Sequence, residues 1–340
     1  MRPWLGALLG LLCCAAVSAD GLTETRIIAH RGASGYLPEH TLAAKALAHA
    51  MGADFLEQDV VLTRDGVPVV LHDIYLQPTT DVARRYPGRQ RDDGHFYAID
   101  FTLQELRSLR LHERSSIGKD GVERAVFPGR FPLGEGWETV PTLEEEIRFI
   151  DGLNRSRGHS AGLYIELKAP RWHRRQGHDI ARAVLDVLVR TGYDSRPEAV
   201  YLQCFDDDTL RYLRETLKTP LPLIQLIAEN DWGEDSGVDY DFLRTPQGLD
   251  AIARYADGIG PWLMQIYQGQ GADGAPRFTD LVPQERARGL QVHPYTFRAD
   301  QLPPGVGSFR ELLGLFSGEQ RLDALFTDFP DQAKRFLSGH

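Results

Sequence analysis

Short β-rich runs alternate with helical patterns along almost the whole chain, and few folds accept that order. The runs lie at 27–29, 55–61, 67–71, 163–167, 199–205, 222–227, 257–260, 291–297 and 325–329. Helical patterns fall between them at 41–51, 179–190, 207–217, 280–288, 308–316 and 332–337. Several of these begin at an acid, Ser or Thr, and three are followed by glycine (Gly52, Gly192, Gly289), as helix caps require. Repeated strand-then-helix units imply a parallel sheet with crossovers. If 55–71 counts as one strand with a hairpin extension, eight strands remain, the number of a (β/α)8 barrel. An open doubly wound sheet would carry a Gly-rich phosphate loop after its first strand, and no G-x-G-x-x-G stands there. The expectation is an α/β, TIM-type barrel with an inserted loop-helical subdomain after the second strand, at about 74–162. That segment is rich in charge and glycine and breaks the repeat. It holds helix candidates at 103–109 and 143–150, preceded by Thr102 and Thr142 as caps. A chain of 340 residues is long enough for a barrel with such an insertion.

Within this frame, residues 27–73 concentrate the chemistry. The first apolar run ends in His30-Arg31-Gly32. In the second run Glu57 and Asp59 stand two apart, so on a strand both carboxylates point to one face. Asp65-Gly66 is a strong turn signal. If the chain doubles back there, His72-Asp73 returns to the level of Glu57 and Asp59, and His30-Arg31 joins them if the two strands are neighbours. Barrel enzymes place their reacting groups at strand C-terminal ends. The other polar or aromatic residues at such ends are Glu166 and Lys168, Gln203 and Phe205, Trp262, Phe297 and Asp328.

Three acids in one cleft, Glu57, Asp59 and Glu166, cannot all stay ionised and unpaired away from water. They take up protons or bind a cation. An all-oxygen ligand set favours a hard divalent ion, Ca²⁺ or Mg²⁺, and the tolerance of Ca²⁺ for irregular geometry favours Ca²⁺. The alternative is a pair of acids on a solvent-facing strand edge, which the apolar neighbours Phe55, Leu56, Val60 and Val61 oppose. His30 and His72 offer the general acid and general base that phosphodiester cleavage requires. Arg31 offers a two-pronged fork for a phosphate and Lys168 a point charge. Gln203, Phe205, Trp262 and Phe297 are candidate substrate contacts; for the three aromatic residues barrel core is an equal reading. Gly32-Ala33-Ser34-Gly35 is one residue short of a G-x-S-x-G nucleophile elbow. Cys204 sits in a strand run with no adjacent histidine and reads as core.

The first residues read as a leader. Arg2 is a basic n-region, 4–12 an apolar h-region, and Val17-Ser18-Ala19 a small-x-small cleavage site. Cleavage after Ala19 and export to the periplasm or medium are expected, with 20–340 as the mature barrel. The apolar segment is shorter than the roughly 20 residues of a membrane span. Leu11-Leu12 before Cys13 and Cys14 disfavour a lipid anchor there. The formal charge of −10 argues against a nucleic-acid partner. A small-molecule substrate is the expected partner, with a homodimer as a further possibility.

Taken together, His30-Arg31-Gly32, Pro38-Glu39-His40-Thr41, Glu57-Gln58-Asp59-Val60, Thr63-Arg64-Asp65-Gly66, His72-Asp73, Glu166-Leu167-Lys168 and Phe326-Thr327-Asp328-Phe329-Pro330 resemble the glycerophosphodiester phosphodiesterase family. The leader and the stretches 35–41, 80–83 and 97–103 look like its periplasmic bacterial branch. The resemblance implies a TIM-type barrel and hydrolysis of glycerophosphodiesters to an alcohol and sn-glycerol 3-phosphate. It implies His30 and His72 as acid and base. It also implies a divalent ion, Ca²⁺ foremost, on Glu57, Asp59 and Glu166, with Arg31 and Lys168 on the phosphate. His40 stands where many members carry Asn, and is expected behind the ligands. Alternatives are an exported or lipid-anchored surface-binding or adhesion protein on the same fold, and a lipid phosphodiesterase, which would need a large exposed apolar patch beside the site.

Overall fold

A computed structural model describes residues 25–234 and 236–339. The expected leader, with Cys13, Cys14 and the cleavage site at Ala19, lies outside the described residues. Among the described residues no helix is long and apolar enough to cross a membrane.

Eight parallel strands form a nearly closed barrel: Arg26–Ala29, Phe55–Leu62, Gly162–Leu167, Val200–Cys204, Leu223–Ile227, Gly258–Pro261, Gln291–Val292 and Ala324–Thr327. Each pairs with its neighbour in chain order up to the seventh, and the first pairs with both the second and the last. The seventh is only two residues long because Pro294 has no N–H for a continued ladder. The seam to the last strand is closed by Phe326 N–H on the Pro294 carbonyl (3.1 Å) and Phe297 N–H on the Phe326 carbonyl (2.8 Å). Strand alternation divides the apolar residues between two layers. Ile28, Phe55, Tyr164, Tyr201, Ile224 and Phe326 fill the barrel interior, while Ile27, Ala29 and Leu56 pack outward on the helices.

The expected hairpin is present. Val60, Val61 and Leu62 pair antiparallel with Val70, Val69 and Pro68 across the turn at Gly66, whose φ is +74°. Leu71 N–H then donates to the Asp59 carbonyl at 3.0 Å, which brings the following His72 to the level of the acids.

Helix Leu143–Arg157 corrects the boundary of the insertion. It is capped by Thr142 and Glu145 and packs between helices Leu42–Ala50 and Ile180–Thr191 as the crossover from the second strand to the third. The segment that departs from the barrel plan therefore ends near 142 rather than 162. It has a core of its own, in which Leu76, Val82, Phe96, Phe101, Leu106 and Leu111 pack on Val61 and Val69 of the hairpin. Helix Pro246–Ile252, with proline and glycine within seven residues, gave no helical pattern. The hairpins Ser115–Ile117 with Glu123–Ala125, and Tyr267–Gln270 with Pro276–Phe278, were likewise illegible.

Candidate active site

The second strand is eight residues long and wholly buried; both acids pair with the third strand on one side, and on the other Leu71 N–H holds the Asp59 carbonyl. Asp59 stands in register beside Glu166 of the third strand. Around them the barrel arranges donors. Arg31 and Gly32 both have positive φ, 59° and 88°. This turn aims Arg31 N–H at Glu57 Oε2, 2.6 Å away. A Cβ on Gly32 would lie 2.8 Å from the Ala44 carbonyl carbon, so glycine is required there. Gln203 Nε2 donates to Glu57 Oε1 at 3.3 Å, and His40 Nε2 sits 2.8 Å from Asp59 Oδ2. Lys45 is completely buried, paired with Glu146 at 2.6 Å and bonded to the Glu57 carbonyl.

The two histidines are oriented in the same way. His30 Nδ1 is 2.6 Å from Asp328 Oδ1, and His72 Nδ1 is 2.8 Å from Asp73 Oδ1. With the aspartates ionised, each Nδ1 carries the proton and each Nε2 is left for chemistry. Lys168 Nζ lies 3.4 Å from His72 Nε2 and 2.7 Å from Glu166 Oε1. Burial, reinforced by Arg31, pushes His30 down to about 3 and His72 to about 4. Burial pushes Glu57 well above the usual carboxylate range and Glu166 up to about 8. His30, Arg31, Glu57, His72, Glu166, Lys168 and Gln203 line one pocket of about 300 Å³. Its remaining wall is largely aromatic: Phe205, Trp232, Trp262, Tyr295 and Phe326.

His40, Glu57 and Asp59 offer ligand atoms within 4.8 Å of one another, and Asp59 Oδ1 is buried without a hydrogen-bond partner. An orphaned buried carboxylate oxygen among acids is what a hard cation would satisfy. His40 Nε2 is committed to Asp59. Glu166 shares the pocket, but its carboxylate is turned to Lys168.

A family model described as the glycerophosphoryl diester phosphodiesterase family matches residues 30–332. The chain belongs to that family. It is 42% identical over 327 residues to a glycerophosphodiester phosphodiesterase of Haemophilus influenzae, covering 92% of this chain and 90% of the relative. To the enzyme of that name from Treponema pallidum it is 38% identical over 337 residues, covering 95% and 94%. A phosphodiesterase of Oleispira antarctica, solved in complex with sn-glycerol-3-phosphate, shares the fold with a TM-score of 0.61 at 23% identity, covering 93% of this chain and 97% of that one.

Of the residues nominated in this family member for substrate contact, Phe297 lies elsewhere. It is fully buried against Phe316, with ring centroids 5.1 Å apart, in the layer between barrel and helices. Its neighbours Tyr295, Thr296 and Arg298 line the pocket instead. Arg31, Lys168, Gln203, Phe205 and Trp262 do line it. Sequence reading did not find Trp232, Glu234, Tyr295 and Arg298, which also line the pocket, or Glu39, Arg114 and Arg130 behind it. Asp328 stands at a strand end and within the motif at 326–330, but neither assigns it a role. The signal for Asp328 and Glu39 was their place in the motifs; loop residues such as Trp232 carry no periodicity. Cys204 is buried, donates to the Leu167 carbonyl, and has its thiol pushed up by burial, in keeping with a core role.

Proposed function

We propose that His30 and His72 are the acid–base pair with which this chain, an enzyme of the glycerophosphodiester phosphodiesterase family, hydrolyses glycerophosphodiesters to an alcohol and sn-glycerol 3-phosphate. The observation that carries the reading is the pair of Nδ1–aspartate contacts, 2.6 and 2.8 Å, behind two imidazoles that face one pocket with Arg31 and Lys168. Arg31 and Lys168 receive the phosphate. The phosphate charge neutralises Arg31, the cation that after burial most depresses both histidines, so one imidazole can hold a proton at neutral pH. One histidine takes the proton of the attacking hydroxyl, and the other gives a proton to the leaving alcohol oxygen as the P–O bond breaks.

Glu57, Asp59 and Glu166 would hold a divalent ion, Ca²⁺ ahead of Mg²⁺, with His40 steadying Asp59. When bound, the ion would supply positive charge to offset that of the phosphate. Burial pushes up the carboxyls of Glu57 and Glu166, while His72 and Lys168 hold Asp59 low against burial; that concentration of acid and the orphaned Asp59 oxygen support this set. The attacker is either water or the neighbouring glycerol hydroxyl, which would give a cyclic phosphate. Hydrolysis in isotopically labelled water with trapping of a cyclic product separates the two.

The test of the whole reading is a panel of glycerophosphodiesters, assayed after EDTA treatment and again with Ca²⁺ or Mg²⁺ restored. No release of sn-glycerol 3-phosphate from any member would overturn it. We also assign the chain to the exported, periplasmic branch, with the mature protein beginning near Asp20. Mass spectrometry of the secreted N-terminus checks that assignment, and sedimentation tests the homodimer expected from the sequence.

A further inference from the structure

Behind each histidine-bound aspartate stands an arginine, and both arginines come from the segment inserted between the second strand and helix Leu143–Arg157. Asp73 Oδ1 lies 2.8 Å from His72 Nδ1, and its Oδ2 forms an ion pair with Arg114 NH1 at 2.8 Å without hydrogen-bond alignment. Asp328 gives Oδ1 to His30 at 2.6 Å and Oδ2 to Arg130 NH2 at 2.7 Å. The remaining nitrogens of Arg114 form a fork on Glu39, at 2.7 and 2.8 Å, and Glu39 in turn holds Arg31 at 3.1 Å. Arg130 also binds Asp300 at 2.9 Å and the Ser34 carbonyl at 3.3 Å, with Phe127 under its guanidinium. Its side chain is only 5% exposed.

We propose that Arg114 and Arg130 are positioning residues of the reaction, and that the insertion acts as a part of the catalytic apparatus by setting the orientation of both imidazoles. A carboxylate held at one oxygen can swing about its Cβ–Cγ bond. With the second oxygen drawn to a guanidinium, by a hydrogen bond at Asp328 and by an ion pair at Asp73, that swing is restricted and the imidazole on the first oxygen keeps one plane. A ring displaced by about 1 Å costs on the order of 10²-fold in rate. Lysine cannot replace either fork, because its ammonium is a single point rather than a plane of donors. The two clamps differ in redundancy. Asp328 Oδ2 also receives Arg298 Nε at 2.7 Å, whereas among the described residues Asp73 has Arg114 as its one arginine partner. Arg114 also carries Glu39 and thereby Arg31, so its loss reaches two groups in the pocket.

The inference rests on the assignment of His30 and His72 as acid and base, and the experiment separates the two. Steady-state kinetics on full-length Arg114→Lys, Arg114→Ala, Arg130→Lys and Arg130→Ala, beside His30→Ala and His72→Ala, are read together with thermal unfolding. Arg114→Ala should lose kcat by about 10–100-fold, the usual cost of an orienting partner, with a smaller rise in KM through Arg31. Arg130→Ala should lose less. Both lysine variants should fail to restore kcat, and added methylguanidinium should recover part of it in the alanine variants at unchanged folded fraction. Wild-type kcat in both alanine variants overturns the inference, as does a loss that merely follows the folded fraction or appears only in KM. Retained activity in His30→Ala and His72→Ala would instead overturn the acid–base assignment itself.

Discussion

Glu57, Asp59 and Glu166 stand on two adjacent barrel strands, paired residue by residue, and are at most 5% exposed. His72 and Asp73 stand on irregular chain beyond a hairpin, with side chains 28% and 22% exposed. The acids at the floor of the pocket are thus fixed by backbone ladders and by buried donors from the barrel itself: Lys45, His40 and Gln203. The histidines, His72 at the rim and His30 deeper, are fixed by side-chain ion pairs to aspartates that two arginines of the inserted segment hold in turn. A ladder sets a position to within the pleat of a sheet and resists single substitutions. An ion pair sets an orientation and is lost with one partner or one proton. The floor is built for charge density and the rim for geometry.

The sharpest way to break this comparison is to empty the floor. Excess EDTA should abolish turnover and Ca²⁺ restore it; unchanged rates in EDTA would leave the acids without their proposed ion. His30→Ala and His72→Ala should each lower turnover by about 10²–10⁴-fold. Thermal unfolding should move far less than turnover, since Asp328 keeps Arg130 and Arg298 and Asp73 keeps Arg114. A pronounced loss of stability in either would show that rim and floor are not distinct.

Lys45→Met probes the floor from behind. It leaves Glu146 buried and unpaired, for an expected cost of roughly 3–5 kcal/mol measured by urea unfolding. A change under about 1 kcal/mol would mean that the pair is not what braces the second strand.

Acid should loosen the attachment of the inserted segment. Burial opposes ionisation of Asp328 and Glu39, yet Arg298, His30 and Arg130 hold the first well below the ordinary carboxylate range, and Arg114 and Arg31 the second. A depressed folded value means the contribution is full above the unfolded pKa of about 4 and fades as pH falls below it. Limited pepsin cleavage within 110–135 should therefore rise as pH is lowered from about 5 to about 3, ahead of cleavage in the barrel strands. Simultaneous loss of both regions would deny the insertion any separate attachment. The smallest effect is expected at Phe297→Leu, roughly 0.5–3 kcal/mol of stability with KM unchanged, because this ring belongs to neither region of the pocket.

Local pattern was enough to reveal the barrel, the hairpin at Asp65-Gly66 and the acids and histidines at strand ends. Side-chain alternation and turn chemistry are properties of a few consecutive residues, and Glu57 with Asp59 needs no more than a period of two. The same periodicity did not reveal helix Pro246–Ile252, nor the place of helix Leu143–Arg157 in the ring, because helix composition does not say what a helix packs on. Only the tertiary structure decided which way Phe297 faces, which loop aromatics wall the pocket, and what stands behind each histidine. Arg114 meets Glu39 across 75 residues, and Arg130 meets Asp328 across 198. Nothing in the local chain marks such partners, since an arginine in a polar insertion looks like any solvated arginine until folding brings a buried carboxylate to it.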